Sequence, residues 1–154
     1  MKFPYGDPYR RRLSGPYPNL AGPEFRSTPG SFQLLQPPTD GHQGPTFACL
    51  YGQYQMGKPD SRYYLNTRKV DRHYRDMCLR YDTYNHRLKY FNQALDKLFH
   101  KLLFLPDIEY VIIPKYLGCD TAGGQWDKYE SLISNFCKRI LRFRPNIKLW
   151  MIEK

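Results

Sequence analysis

The chain has 154 residues and a formal net charge of +10, from 24 Lys and Arg against 14 Asp and Glu. That length suits one domain and is short for two. Hydrophobic residues at 41% and aromatics at 16% argue against a wholly disordered chain, and no apolar run is long enough for a membrane-spanning helix. The excess of cations points to an anionic partner: nucleic acid, nucleotide phosphates or an acidic surface.

The first segment, MKFPYGDPYRRRLSGPYP, lacks the apolar stretch of a secretory signal. The expectation is an intracellular protein, in cytoplasm or nucleus, with reduced thiols. Cys49, Cys78, Cys119 and Cys137 are widely spaced, with no CxxC, and His42, His73, His86 and His100 show no ligand spacing, so neither a metal nor a cofactor is expected. Nine of thirteen prolines and six of eleven glycines fall before residue 47. Residues 1–30 therefore read as a poorly ordered Pro/Gly-rich extension, and residues 31–154 as the domain proper.

Within the domain, Ser31–Gln36 lies between Pro29-Gly30 and Pro37-Pro38 and reads as a strand. Thr46–Tyr51 would return as its hairpin partner. Residues 53–84 are polar, basic and tyrosine-rich, part helical and part irregular. A clear helix follows over His86–Phe104, where Leu88, Phe91, Leu95, Leu98 and Leu102 recur at intervals of three and four. Pro106 ends it. Ile108–Ile113 is β-branched and nearly all apolar, which predicts a strand covered on both faces. A Gly-rich segment then leads to a second helix. Asp127 would cap this helix, with Glu130 reaching back in a capping box. Leu132, Ile133, Phe136, Ile140 and Leu141 would form its buried face. Arg142 and Arg144 sit where the helix dipole favours cations. After the turn at Pro145-Asn146, Ile147–Ile152 forms the last strand. The order predicts an α/β fold, with helices packed on the faces of a mixed sheet.

The Gly-rich segment is the candidate site. It joins the end of a strand to the start of a helix, the place where open α/β sheets bind ligands. Glycines at 118, 123 and 124 allow positive φ and close approach, so that successive N–H groups can line a nest for phosphate oxygens. Glycines in such a connection also serve turning alone, and Asp127 would compete for the same amides. The segment is neither GxGxxG nor a Walker loop, so by itself it leaves both readings open.

Ile112-Ile113-Pro114, then Leu117-Gly118-Cys119, then Ala122-Gly123-Gly124-Gln125-Trp126 resembles the macro domain: a strand ending in Pro, a Gly-Cys-Gly, a small Gly-rich turn and a Trp. Ala48–Pro59 is similar to that family's strand followed by Gln, an aromatic and Gly. Pro145–Trp150 looks like its last strand. The resemblance covers residues 31–154. It implies binding of ADP-ribose or a related nucleotide diphosphate, held by Leu117, Gly118, Cys119, Asp120, Thr121, Ala122, Gly123 and Gly124, with Trp126 orienting the loop. The chain departs from the pattern in two ways. The family's N-terminal strand-helix unit, with its own Gly-rich loop, has no counterpart here, so the expectation is an incomplete macro-like domain. The positions of the catalytic Lys and Asp of one branch fall at Gln53 and Ala122, and Asp120 replaces the second Gly of Gly-Cys-Gly. No catalytic residue is therefore assigned, and hydrolase activity is doubtful.

Three further features compete. Cys119, near a helix start, has the setting of an activated thiol, but no His lies near it in sequence and a packed thiol is the simpler account. Residues 62–81 interleave Arg62, Arg68, Lys69, Arg72, Arg75 and Arg80 with Tyr63, Tyr64, Tyr74 and Tyr81, the composition of a single-stranded nucleic-acid binder that is not an enzyme. A solvated basic face is the plainer reading of that stretch. A degenerate gene product without activity is the third possibility. Oligomeric state and natural ligand are not read from the sequence.

Overall fold

The computed structural model describes residues 4–6, 28–38, 44–54, 58–59, 76, 80–119 and 122–153. Most of residues 1–30 and of the basic, tyrosine-rich stretch 62–81 lies outside them. Strand β1 (Ser31–Leu35) and strand β2 (Phe47–Tyr51) pair antiparallel, with Gln33 opposite Cys49. This is the expected hairpin. Before β1, Gly30 takes φ +80° and its N–H donates to the Tyr51 carbonyl at 2.7 Å, closing the open end of the ladder. Upstream, the Tyr5 hydroxyl donates to the Pro45 carbonyl, and its ring lies 5.8 Å from that of Phe47.

Helix α1 (Tyr84–Leu103) begins two residues before the predicted start. Thr83 is its cap, and the hydroxyl accepts from the His86 N–H at 3.3 Å. Phe91, Ala94, Leu95, Leu98, Phe99 and Leu102 are buried along one face. Each large apolar side chain so buried contributes about 1.5–3 kcal/mol, before the cost of ordering it.

At the far end the Phe104 N–H closes on the last carbonyls. The turn that follows is held by Arg144. Its guanidinium donates to the carbonyls of Leu102, Leu105, Pro106 and Ile108, at 2.6–3.0 Å. The sequence assigns Arg144 only a place near the end of the second helix, where the helix dipole favours cations. The planar five-donor fork is what lets one side chain satisfy a whole turn.

Strand β3 (Tyr110–Pro114) and strand β4 (Lys148–Ile152) pair parallel, Tyr110 opposite Lys148 and Ile112 opposite Trp150. Helix α2 (Trp126–Phe143) is the crossover between them. The predicted double coverage of β3 is not found. Val111 and Ile113 face the core, whereas Ile112 is 56% exposed, because among the described residues helices cover one face of this sheet only. The expected mixed sheet is likewise replaced, among the described residues, by two separate two-stranded sheets. One is antiparallel and one parallel, so the α/β class stands.

The core lies where α1 meets α2. Tyr129, Ile133, Phe136 and Ile140 of α2 pack with the α1 stripe and with Ile147. Leu141, predicted buried, is 43% exposed. It stands about 100° round the helix from Ile140, off the buried face. The hairpin leans on α1 through Phe32, Leu34 and Leu50.

Candidate functional site

The chain leaves β3 at Pro114 and turns sharply. Tyr116 takes φ +61°, unusual for a residue with a side chain, and Gly118 takes φ +81°. The Cys119 N–H donates to the Tyr116 carbonyl at 3.0 Å, and the Gly124 N–H to the Gly118 carbonyl at 3.2 Å. Two amides of the predicted phosphate nest are thus used inside the loop itself.

Gly118 and Gly124 have a packing reason. A Cβ on Gly118 would stand 2.9 Å from the Tyr129 ring. On Gly124 it would stand 2.6 Å from both that ring and the Gly118 carbonyl. Tyr129 fills the inner side of the turn and meets Phe91 with ring centroids 4.9 Å apart. Burial pushes its hydroxyl pKa up.

Gly123 differs. It takes φ +69° and borders the Lys58 side chain and the Tyr84 hydroxyl. Here the loop opens onto a cleft of about 330 Å³ lined by Tyr84, Asn85, Leu88, Gly123, Gly124, Gln125, Lys128 and Tyr129. Among the described residues, no carboxylate and no histidine lines it.

The remaining predicted site residues separate. Leu117 is half-buried against the core. Trp126 stacks edge-on to Tyr116 at 5.2 Å, which props the loop as expected for a packing Trp. The Cys119 Sγ donates to the Leu117 carbonyl at 3.6 Å, and burial, followed by the Asp127 charge, pushes its pKa up. A nucleophile needs the opposite shift, so the packed-thiol account is the better one. Asp120 and Thr121 lie outside the described residues.

The start of α2 corrects the capping prediction. The cap is Gln125, whose carbonyl accepts from Lys128 and Tyr129 and whose side chain makes no capping bond. Asp127 sits one step inside the first turn. Trp126, in contact with Tyr116, is already the first helical residue, so the helix starts ahead of Asp127. With Lys128 and Tyr129 turned back onto the Gln125 carbonyl, the Trp126 and Asp127 N–H groups receive no acceptor from the cap side chain.

Sequence reading missed the pair that anchors the loop. Arg87 and Asp82 are each 2% exposed at the side chain and joined two-pronged, at 2.9 and 2.6 Å. Asp82 also accepts from the Tyr54 N–H at 3.3 Å, and Arg87 donates to the Ala122 carbonyl at 3.3 Å. One ion pair thus ties together the segment after β2, the start of α1 and the Gly-rich loop. Five residues apart in a stretch full of arginines, the two carry no spacing signal.

Beside this pair lies an aromatic group. Tyr54 meets Tyr90 edge-on at 5.9 Å, and His86 stacks on Tyr90 at 6.1 Å. Burial first, then Tyr54, pushes the Tyr90 pKa up to about 12.

The elements so placed define an α/β chain whose strand-helix-strand unit carries a cleft at the strand end. No family model, curated protein or solved structure matches the chain. Among the described residues, no group of acidic, cysteine or histidine side chains is placed to hold a metal ion. No described helix is long and apolar enough to cross a membrane.

Proposed function

We propose that the chain binds a nucleotide diphosphate of the ADP-ribose class in the cleft beside Gly123 and Gly124. The observation that carries the reading is a cleft lined by the Gly123-Gly124 backbone and by the cap of a helix without a side-chain capping bond, with two lysines close by. Lys58 lies against Gly123, and Lys128 lines the cleft. N–H groups at a helix N-terminus, together with its dipole, favour phosphate. Position supports the same reading, since ligands of α/β units collect at strand ends. So does size, as about 330 Å³ falls at the lower end of small-molecule pockets.

The macro-domain resemblance is the second support. Its two central segments, residues 48–59 and 112–126, meet where Lys58 packs on Gly123. The ligand-facing part is narrower than the sequence suggested. Gly118 and Cys119 are occupied by Tyr129 and by hydrogen bonds within the loop, and Gly124, though it lines the cleft, has its N–H used there too. The pyrophosphate would rest on residues 123–126 near Lys58 and Lys128, and the ribose or base against Tyr84 and Leu88. Asp127, in the same turn, opposes the anion, so the lysines set the affinity.

Calorimetric titration of the full chain with ADP-ribose, and with ADP for comparison, tests the reading. Binding is expected, and Lys128→Ala should weaken it about tenfold, equal to ~1.4 kcal/mol. No heat and no thermal shift at millimolar ligand removes the proposal. Binding of single-stranded oligonucleotides with a steep salt dependence, in place of ADP-ribose, would assign the basic charge to nucleic acid instead.

A further inference from the structure

We propose that two copies of the chain join by antiparallel pairing of β3 with β3, centred on Ile112. Main-chain hydrogen bonds identify the free edge. The Lys148 N–H donates to the Glu109 carbonyl, and the Lys115 N–H to the Ile152 carbonyl, both at 2.8 Å. The odd-numbered residues from 109 to 115 therefore turn their main-chain polar groups toward β4. Successive residues of a strand turn these groups to opposite edges. Tyr110, Ile112 and Pro114 thus turn theirs away from β4. Among the described residues, no strand pairs with that edge. On the uncovered face of the sheet beside that edge, Tyr110 is 48% and Ile112 56% exposed. An open apolar edge is a template for another strand.

The charge pattern selects a second copy and sets its direction. Residues 109–115 read Glu-Tyr-Val-Ile-Ile-Pro-Lys, opposite charges at the two ends of an apolar run. Antiparallel pairing about Ile112 sets Glu109 of each copy opposite Lys115 of the other. These are non-hydrogen-bonded positions, where Cα atoms approach to about 4.5 Å. Parallel pairing in register would set like charges side by side.

In the antiparallel arrangement the two Ile112 residues exchange N–H and C=O. Each Tyr110 N–H donates to the Pro114 carbonyl of the second copy, and the Tyr110 ring lies over that proline. Pro114 lacks an N–H, so pairing stops there with no donor left over. The contact is two-fold and closes on itself. Lys115 is also paired within its own copy, to Glu153 at 3.3 Å, an exposed contact that leaves its approach to Glu109 open.

Analytical ultracentrifugation of the full chain at physiological salt, from low micromolar to about 100 μM, reads the association of a small interface. A monomer–dimer equilibrium is expected. Glu109→Lys should weaken it tenfold or more by placing like charges together at both ends. E109K/K115E/E153K, which exchanges the charges and keeps the pair to residue 153, should restore it. Ile112→Pro removes an N–H that β4 does not use, so circular dichroism should stay native while the dimer is lost. A chain that stays monomeric throughout, one that grows beyond dimers, or a dimer indifferent to Glu109→Lys would overturn the proposal.

Discussion

Arg87 is 2% exposed, and the carboxylate of Asp82 is buried beside it. Removing one partner takes a two-pronged charged contact from the other in a dry site. Asp82→Ala should therefore cost about 3–5 kcal/mol in chemical denaturation. The loss should also loosen the Gly-rich loop, through the Arg87 bond to Ala122. Gly124→Ala acts on the same loop from the other side. Its Cβ would stand 2.6 Å from a backbone carbonyl, which cannot swing aside as a side-chain tip does. We expect a loss of about 1–3 kcal/mol, read as a lowered melting temperature. Arg144→Lys keeps the charge but cannot reach several carbonyls at once, and should cost about 2 kcal/mol. An Arg144→Lys chain as stable as the parent would show that the turn after α1 does not need the fork.

At the scale of elements, the uncapped start of α2 links stability to binding. Gln125→Asp supplies the missing side-chain acceptor and should stabilise the chain by about 1 kcal/mol. The same carboxylate occupies the amides proposed for phosphate, so nucleotide binding should fall as stability rises. A gain in both would separate the helix start from the ligand. Helix α1 carries a pH response at its N-terminal end. The Tyr90 pKa is raised to about 12 against 10.0 for a free phenol, chiefly by burial. The folded state thus favours the neutral ring. This contribution is whole below pH 10 and fades as pH rises through about 12. Denaturation midpoints across that alkaline window should fall more steeply for the parent than for Tyr90→Phe.

The elements themselves were legible where periodicity was strong. The leucine stripe of α1, the hairpin between proline turns and the final strand are local patterns, and packing left them in place. What the sequence hid depends on which faces find partners. Ile108–Ile113 reads the same whether helices cover one face or two, and only the assembled sheet shows Ile112 exposed. Asp127 looks like a cap, but Trp126 ahead of it is already helical. In the site, Gly118, Gly123 and Gly124 stand out by composition, but only their surroundings show that Gly118 and Gly124 pack on Tyr129 while Gly123 and Gly124 border the cleft. The Asp82–Arg87 pair left no mark at all, because its meaning comes from burial.

At the scale of the whole molecule, a basic chain brings a glycine-lined cleft, two lysines and a helix start without a side-chain cap together beside a buried ion pair. Titrating isotope-labelled full-length chain with ADP-ribose, and following its backbone amide resonances, asks directly whether these parts act as one site. The account predicts saturable shifts concentrated at residues 123–129 and 84–88, absent with free ribose and reduced in Lys128→Ala. Resonances that stay fixed at millimolar ligand, or that move only in segments remote from the cleft, would contradict it.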